Sequence, residues 1–228
     1  METAIGWLAP STCIGCGVEG VPLCTACLNS EILSFGERCF GCGSLSNLSK
    51  TCKTCRAKDA PSYVWVATDY EKLAKNLVQK YKFEHQRIAA ATISRIMAKT
   101  FLSQNSDEQI ASKNYLLVPI PTAAVRIRQR GFDHTSLLAK NLSLNLGIET
   151  RPALGRLGQA QQVGAPRHLR TTQVKGAYYV KKQHHIKGRN VLLVEDVVTT
   201  GATLSEAAHE LRRAGAKSVD GLIFAKRL

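Results

Sequence analysis

Residues 191–203 read VLLVEDVVTTGAT, from Val191 to Thr203. The stretch Val191 to Val194 is short and wholly apolar, the pattern of a central parallel strand buried on both faces. Glu195 and Asp196 follow at once. Two adjacent carboxylates therefore stand at the carboxyl end of the strand, the edge where open α/β sheets bind ligands and where carboxylates can accept hydrogen bonds from vicinal ribose hydroxyls. Val197, Val198, Thr199, Thr200, Gly201, Ala202 and Thr203 then combine small residues, hydroxyls and a glycine ahead of an amphipathic helix carrying Leu204, Ala207, Ala208 and Leu211. Backbone N–H groups at such a helix start, together with the helix dipole, make an anion site suited to a phosphate. Thr203 and Glu206 have the spacing of a capping box. A Walker A loop is excluded, because no Gly-Lys-Ser/Thr triplet is present. A lone Thr-Thr-Gly is weak evidence and an acidic pair usually sits in a solvated loop; specificity comes from the conjunction of all the parts in one segment.

Working outward, Ser218 to Phe224 reads as a further strand and Tyr63 to Tyr70 as a β-branched and aromatic one. Leu73, Leu77, Val78 and Tyr81 fall at helical spacing, the pattern repeats from Ile88 to Phe101, and Gln104 to Lys113 is polar enough to read as a surface loop. Leu116 to Val118 ends in Pro119-Ile120-Pro121, followed by a basic loop with Arg126, Arg128 and Arg130 and a helix from Ser136 to Leu146 that Gly147 stops. Strands alternating with helices predict an α/β domain over residues 61–228, a mostly parallel sheet flanked by helices. The linker Asp59-Ala60-Pro61-Ser62 separates it from residues 1–60.

All eight cysteines lie in that first segment, as four C-x-x-C pairs: Cys13/Cys16, Cys24/Cys27, Cys39/Cys42 and Cys52/Cys55. Two residues between thiolates let both sulfurs face one ion, and four thiolates complete the tetrahedron zinc accepts. Two structural zinc ions in a double ribbon are expected, with no open position for catalysis. Neighbouring pairs and interleaved pairs use the same residues, so the spacing leaves connectivity open. Gly15, Gly17, Gly41 and Gly43 lie where a tight knuckle favours a residue without a side chain. Disulfides and thioredoxin-like redox pairs fit less well, the first because of the compartment inferred below, the second because no βα pattern follows the pairs.

The chain has 228 residues, 44% hydrophobic and 21% charged, which is ordinary for a globular protein. No apolar run approaches the roughly 20 residues that cross a bilayer, and METAIGWLAP lacks the features of a secretory signal, so a cytoplasmic protein without membrane insertion is expected. Residues 1–60 balance Arg38, Lys50, Lys53, Arg56 and Lys58 against Glu2, Glu19, Glu31, Glu37 and Asp59, so the formal net charge of +14 resides in residues 61–228. That excess favours an anionic partner, either a phosphorylated small molecule or a nucleic acid backbone. The six histidines show no triad spacing and receive no role.

VLLVEDVVTTGAT resembles the signature with which type I phosphoribosyltransferases bind 5-phosphoribosyl 1-pyrophosphate (PRPP). The ribbon, KYKFEHQR at Lys80 to Arg87, VPIPTAAVRIRQRGFDH from Val118 to His134 and RLGQAQQVGAPRHLRTTQVKGAYYV from Arg156 to Val180 are together similar to the ComF family (ComFC and GntX-like proteins). That family is associated with natural transformation. The resemblance covers almost the whole chain and implies a type I phosphoribosyltransferase-like fold. It implies that residues 195–203 bind PRPP with Mg2+, with Glu195 and Asp196 on the ribose hydroxyls and in the reaction. It further implies that Lys82, Thr122, Arg126 and Arg130 meet pyrophosphate, and that Gln162 and Arg170 lie on a closing loop. Asp133 stands where the family's motif has asparagine, which points to an N-cap for the following helix. Two uses stay open: phosphoribosyl transfer to an unknown acceptor, or non-catalytic PRPP sensing by a protein that binds single-stranded DNA or docks a DNA-uptake helicase.

Overall fold

A computed structural model of the chain describes residues 11–32, 34–56, 59–83, 88–157 and 175–227. The elements run α1 (Thr25–Glu31), α2 (Lys53–Arg56), β1 (Val64–Asp69), α3 (Lys72–Phe83), α4 (Ile88–Ser103), α5 (Asp107–Lys113), β2 (Tyr115–Pro119), α6 (Ala124–Arg130), α7 (His134–Leu146), β3 (Leu154–Arg156), β4 (Tyr178–Val180), β5 (Asn190–Val198), α8 (Ala202–Arg213) and β6 (Ser218–Lys226).

Four strands form one parallel sheet in the order β1-β6-β5-β2. Because side chains alternate across a strand, the apolar runs feed two separate cores. Trp65, Leu117, Leu192, Val194, Leu222 and Phe224 face α3, α4 and α7. Val64, Val66, Leu116, Val118, Val191, Leu193 and Ile223 face α8 and the β3–β4 hairpin. Val191 to Val194 are fully buried, as expected of a strand covered on both sides, and burying each such side chain contributes about 1.5–3 kcal/mol. The short antiparallel hairpin β3–β4 is a sheet of its own.

The ribbons join these cores. Cys13 and Leu23 belong to the first, Phe35 and Phe40 to the second. At the amino end of the sheet, the buried Asp220 carboxylate accepts from Tyr63 N–H at 3.1 Å, from the Tyr115 hydroxyl at 2.7 Å and from Lys113 Nζ at 3.3 Å. Three donors satisfy a buried charge that would otherwise be costly. Among the described residues, no helix is long and apolar enough to cross a membrane.

Three local expectations change. The polar stretch 104–113 contains α5, which starts in a reciprocal capping box between Ser106 and Gln109 and ends at Asn114 in the left-handed region. The basic stretch after Pro121 is helical as α6, closed by Gly131 at φ +73°. The Thr203/Glu206 capping box is absent: Gly201, at φ +79°, precedes α8 without a side-chain cap, and Glu206 instead accepts a hydrogen bond from Gly176 N–H. Asp133 caps α7 by accepting from Ser136 N–H at 3.3 Å, and Gly147 ends that helix at φ +66°.

Candidate functional site

At the carboxyl edge of the sheet the two carboxylates separate in environment. Asp196 is buried, whereas Glu195 is half-buried. Strand alternation explains this, since adjacent residues point to opposite faces. Both Asp196 oxygens are engaged: Oδ1 accepts from Val197 N–H at 2.8 Å, and Oδ2 forms an ion pair with Lys82 Nζ and faces His134 Nε2 at 3.6 Å. Burial opposes ionisation of Asp196, but the Lys82 ammonium and His134 outweigh it and hold the carboxyl well below its usual range. Burial and the neighbouring Asp196 charge push the Glu195 carboxyl well above its usual range. One group is thus a fixed carboxylate and the other is biased towards the acid, a division of roles built from two like residues.

His134 had no role in the sequence reading, yet it links the site. Arg130 NH1 lies 3.2 Å from His134 Nδ1, and the Thr122 hydroxyl lies 3.0 Å from the same nitrogen. A guanidinium has only donors, so Nδ1 accepts and the ring hydrogen sits on Nε2, facing Asp196. Thr122 Oγ1 is also 2.9 Å from Asp133 Oδ1. The Tyr81 hydroxyl donates to His134 carbonyl oxygen at 2.5 Å, and burial pushes its pKa above the ordinary phenol value. A hydrogen-bonded chain therefore runs from α3 through β5 to the start of α7 and the end of α6. Histidine at the first position of α7, directly after the capping Asp133, was the available sequence signal; its partner Asp196 is far along the chain.

Of the residues expected around a ligand, Lys82, Thr122, Arg130, Glu195 and Asp196 come together in this network. Arg126 and Arg128 are exposed on α6. Burial, with Arg126 nearby, lowers the Arg130 guanidinium from its usual range. The side chain of Val198 belongs to the second core and that of Val197 packs against the first, so these two offer backbone only. Thr199 and Thr200 are exposed, and Thr200 Oγ1 accepts from Ala202 N–H at 3.4 Å. Lys226 Nζ donates to Thr199 carbonyl oxygen, and Arg227 N–H donates to Val198 carbonyl oxygen at 2.9 Å, which ties the loop to the end of β6. Gln162 and Arg170 lie outside the described residues. Tyr178, buried on the hairpin, has Arg156 over its ring at 5.5 Å.

The cysteines combine by neighbours. Cys13, Cys16, Cys24 and Cys27 form one cluster and Cys39, Cys42, Cys52 and Cys55 another, their sulfurs within 4.8 Å of one another. None is in a disulfide. Cys16 and Cys24 sulfurs are 3.7 Å apart, as are those of Cys42 and Cys52. A tetrahedral site with Zn–S of about 2.3 Å has edges of about 3.8 Å, so both clusters fit zinc. Cys24 N–H points at Cys13 Sγ at 3.4 Å and Cys52 N–H at Cys39 Sγ at 3.5 Å, outer bonds of the kind that stabilise thiolates. Contact with the Ser44 hydroxyl and backbone lowers the Cys42 thiol to about 6. Two of the knuckle glycines are sterically required, since a Cβ on Gly15 would lie 2.6 Å from Cys27 Sγ and one on Gly41 2.7 Å from Cys55 Sγ, while Gly17 and Gly43 take left-handed φ values of +79° and +74°.

A family model described as phosphoribosyl transferase domain matches residues 83–227. The chain is 28% identical over 206 residues to competence protein F of Haemophilus influenzae, covering 86% of this chain and 87% of that protein. It is 27% identical over 201 residues to DNA utilization protein YhgH of Salmonella typhimurium, with 86% and 87% covered. With competence protein ComFC of Bacillus subtilis it shares 26% over 203 residues, covering 85% and 79%.

Proposed function

Because the chain belongs to the phosphoribosyl transferase domain family, we propose that it is a ComF-like cytoplasmic protein that binds PRPP at residues 195–203 and serves DNA uptake or utilization. The observation that carries this reading is the buried strand β5, which carries Glu195 and Asp196 towards its carboxyl end and continues through Thr199, Thr200 and Gly201 into the start of α8. The 5-phosphate takes the backbone N–H groups at the start of that helix. Glu195, the more accessible carboxyl, takes a ribose hydroxyl, while Asp196 is held by its protein partners and sets the local charge. The buried Arg130 and the exposed Arg126 face the pyrophosphate side, where guanidinium groups suit its oxygens.

Mg2+ would be held through Glu195, displacing the proton that burial favours there, and through the ligand's own oxygens, since Asp196 Oδ2 is already neutralised by Lys82; when bound, the ion would offset the charge of departing pyrophosphate. In the transfer reaction the bond from the anomeric carbon to pyrophosphate breaks, a bond to the acceptor forms, and the acceptor loses a proton. Arg130 and the α8 N-terminus stabilise anionic oxygens on either side of the developing sugar cation.

Calorimetric titration with PRPP, with and without Mg2+, tests the binding. Saturable Mg2+-dependent binding that Asp196→Asn weakens is expected, and absence of any binding would remove the reading. Pyrophosphate release with some acceptor separates transfer from sensing; binding without release across a broad acceptor panel would leave a sensor. The net charge of +14 favours a second activity, binding of single-stranded DNA. Its affinity should fall steeply with added salt, and no binding at low salt would exclude it.

A further inference from the structure

The second zinc knuckle reaches the phosphate loop. Phe40 lies inside it, in Cys39-Phe40-Gly41-Cys42, and is 2% exposed. Its ring packs directly on Gly201: a Cβ on that glycine would lie 2.7 Å from Phe40 Cε2 and 3.4 Å from Cζ. Gly201 is the left-handed residue, φ +79°, from which α8 departs, and it is buried between two exposed threonines and the helix. The chain leaving this ribbon is tied to the opposite end of α8 and to the start of β6, so the helix that begins at Gly201 is held at both ends. Arg212 on α8 donates to the carbonyl oxygens of Asp59 at 2.8 Å and Ala60 at 2.9 Å, and Ser62 N–H donates to Val219 carbonyl oxygen at 3.0 Å. The first knuckle is placed differently, since a Cβ on Gly15 would meet Cys27 and Leu73 of α3.

We propose that Phe40 is a positioning residue for the phosphate site, so that metal loading of Cys39, Cys42, Cys52 and Cys55 sets the affinity for the phosphorylated ligand. The inference rests on the reading that residues 199–203 hold a phosphate. The physical reason is preorganisation. Four metal-held thiolates fix the knuckle, the knuckle fixes the ring, and the ring holds Gly201 in the one turn geometry that aims successive N–H groups at a single anion. With the ring gone or the knuckle unlocked, the loop samples other geometries. If the competent one falls to about a tenth of the population, the apparent Kd rises about tenfold.

The test uses the full chain, with zinc content and PRPP Kd measured on each variant. Cys42→Ser should lose one zinc ion and bind PRPP about tenfold more weakly, whereas Cys16→Ser should lose one zinc ion and keep its Kd within about threefold. Phe40→Ala should keep both ions and bind about tenfold more weakly, with Phe40→Leu restoring most of the affinity because it retains an apolar contact. Should Phe40→Ala fail to fold, Gly201→Ala in the wild-type and Phe40→Leu backgrounds gives the same information: the added methyl should weaken binding less where the ring is absent. Equal Kd values for Cys42→Ser and Cys16→Ser, or full affinity in zinc-loaded Phe40→Ala, overturn the proposal. Failure of the wild-type protein to bind PRPP would instead strike the proposed function itself.

Discussion

Replacing Lys82 with methionine removes the cation from a buried pair while keeping the length of the side chain. The Lys82 side chain is 17% exposed and that of Asp196 3%, so the carboxylate left behind is almost wholly out of water. Removing one partner of a buried pair typically costs about 3–5 kcal/mol. His134 still faces Asp196 Oδ2, and Lys82 retains some solvent, which places Lys82→Met nearer about 2–3 kcal/mol. For a chain of this length that corresponds to a fall in Tm of about 4–12 °C. The sign with pH follows from the direction of the Asp196 shift. Its folded-state pKa is depressed, so the pair's contribution is fully present above the unfolded carboxylate value of about 3.9 and is lost as pH falls towards the folded value. The gap between wild type and variant, followed by thermal unfolding, should therefore be widest near neutrality and narrow below about pH 4. Adding Asp196→Asn should recover part of the lost stability, because no buried charge then lacks a partner. A Tm for Lys82→Met within about 2 °C of wild type at neutral pH would refute this account of the site.

His134→Leu should lower Tm and weaken PRPP binding, because Arg130 and Asp196 both lose a polar neighbour; His134→Gln, which offers one acceptor and one donor, should keep both properties near wild type, and equal behaviour of the two variants would deny His134 its linking role. Glu195→Gln should leave Tm almost unchanged, since burial and Asp196 already favour the uncharged form, yet reduce PRPP affinity; Asp196→Asn should reduce both, and calorimetry beside thermal unfolding separates them. Metal analysis should find two zinc ions per chain, and a value clearly below two would refute the pairing of the cysteines into two clusters.

The buried strand Val191 to Val194 was legible because a parallel strand covered on both faces needs an unbroken apolar run, and nothing else in the chain demands one there. Cysteine spacing gave the ligand sets but not their grouping, which depends on how the knuckles fold back on each other. The cap at Asp133 and the stop at Gly147 were local, and local chemistry decided them. Long-range pairing was beyond reach. Nothing near His134 in sequence indicates Asp196, and nothing near Lys82 indicates that its charge goes to a carboxylate and not to a ligand. Helix α5 escaped because its exposed polar face carries no apolar period, although Ser106 and Gln109 spelled its start. Thr203 and Glu206 had the correct spacing for a cap, but a glycine in the left-handed region already began α8 two residues earlier, leaving Glu206 to hold Gly176.

The strand order β1-β6-β5-β2 has a consequence for how the chain must be made. The first strand lies at the edge of the sheet, where the strand beside it is the last one, Val64 opposite Gly221 and Asp69 opposite Lys226. During synthesis β1 leaves the ribosome long before that neighbour exists, and until β6 arrives, β1 and β5 have no strand between them. Such wide separation between pairing partners slows folding and prolongs the exposure of unpaired, apolar strand edges. A stop codon that removed β6 would therefore take the middle out of the sheet, separating β1 and the ribbons packed beside it from the strand that carries Glu195 and Asp196.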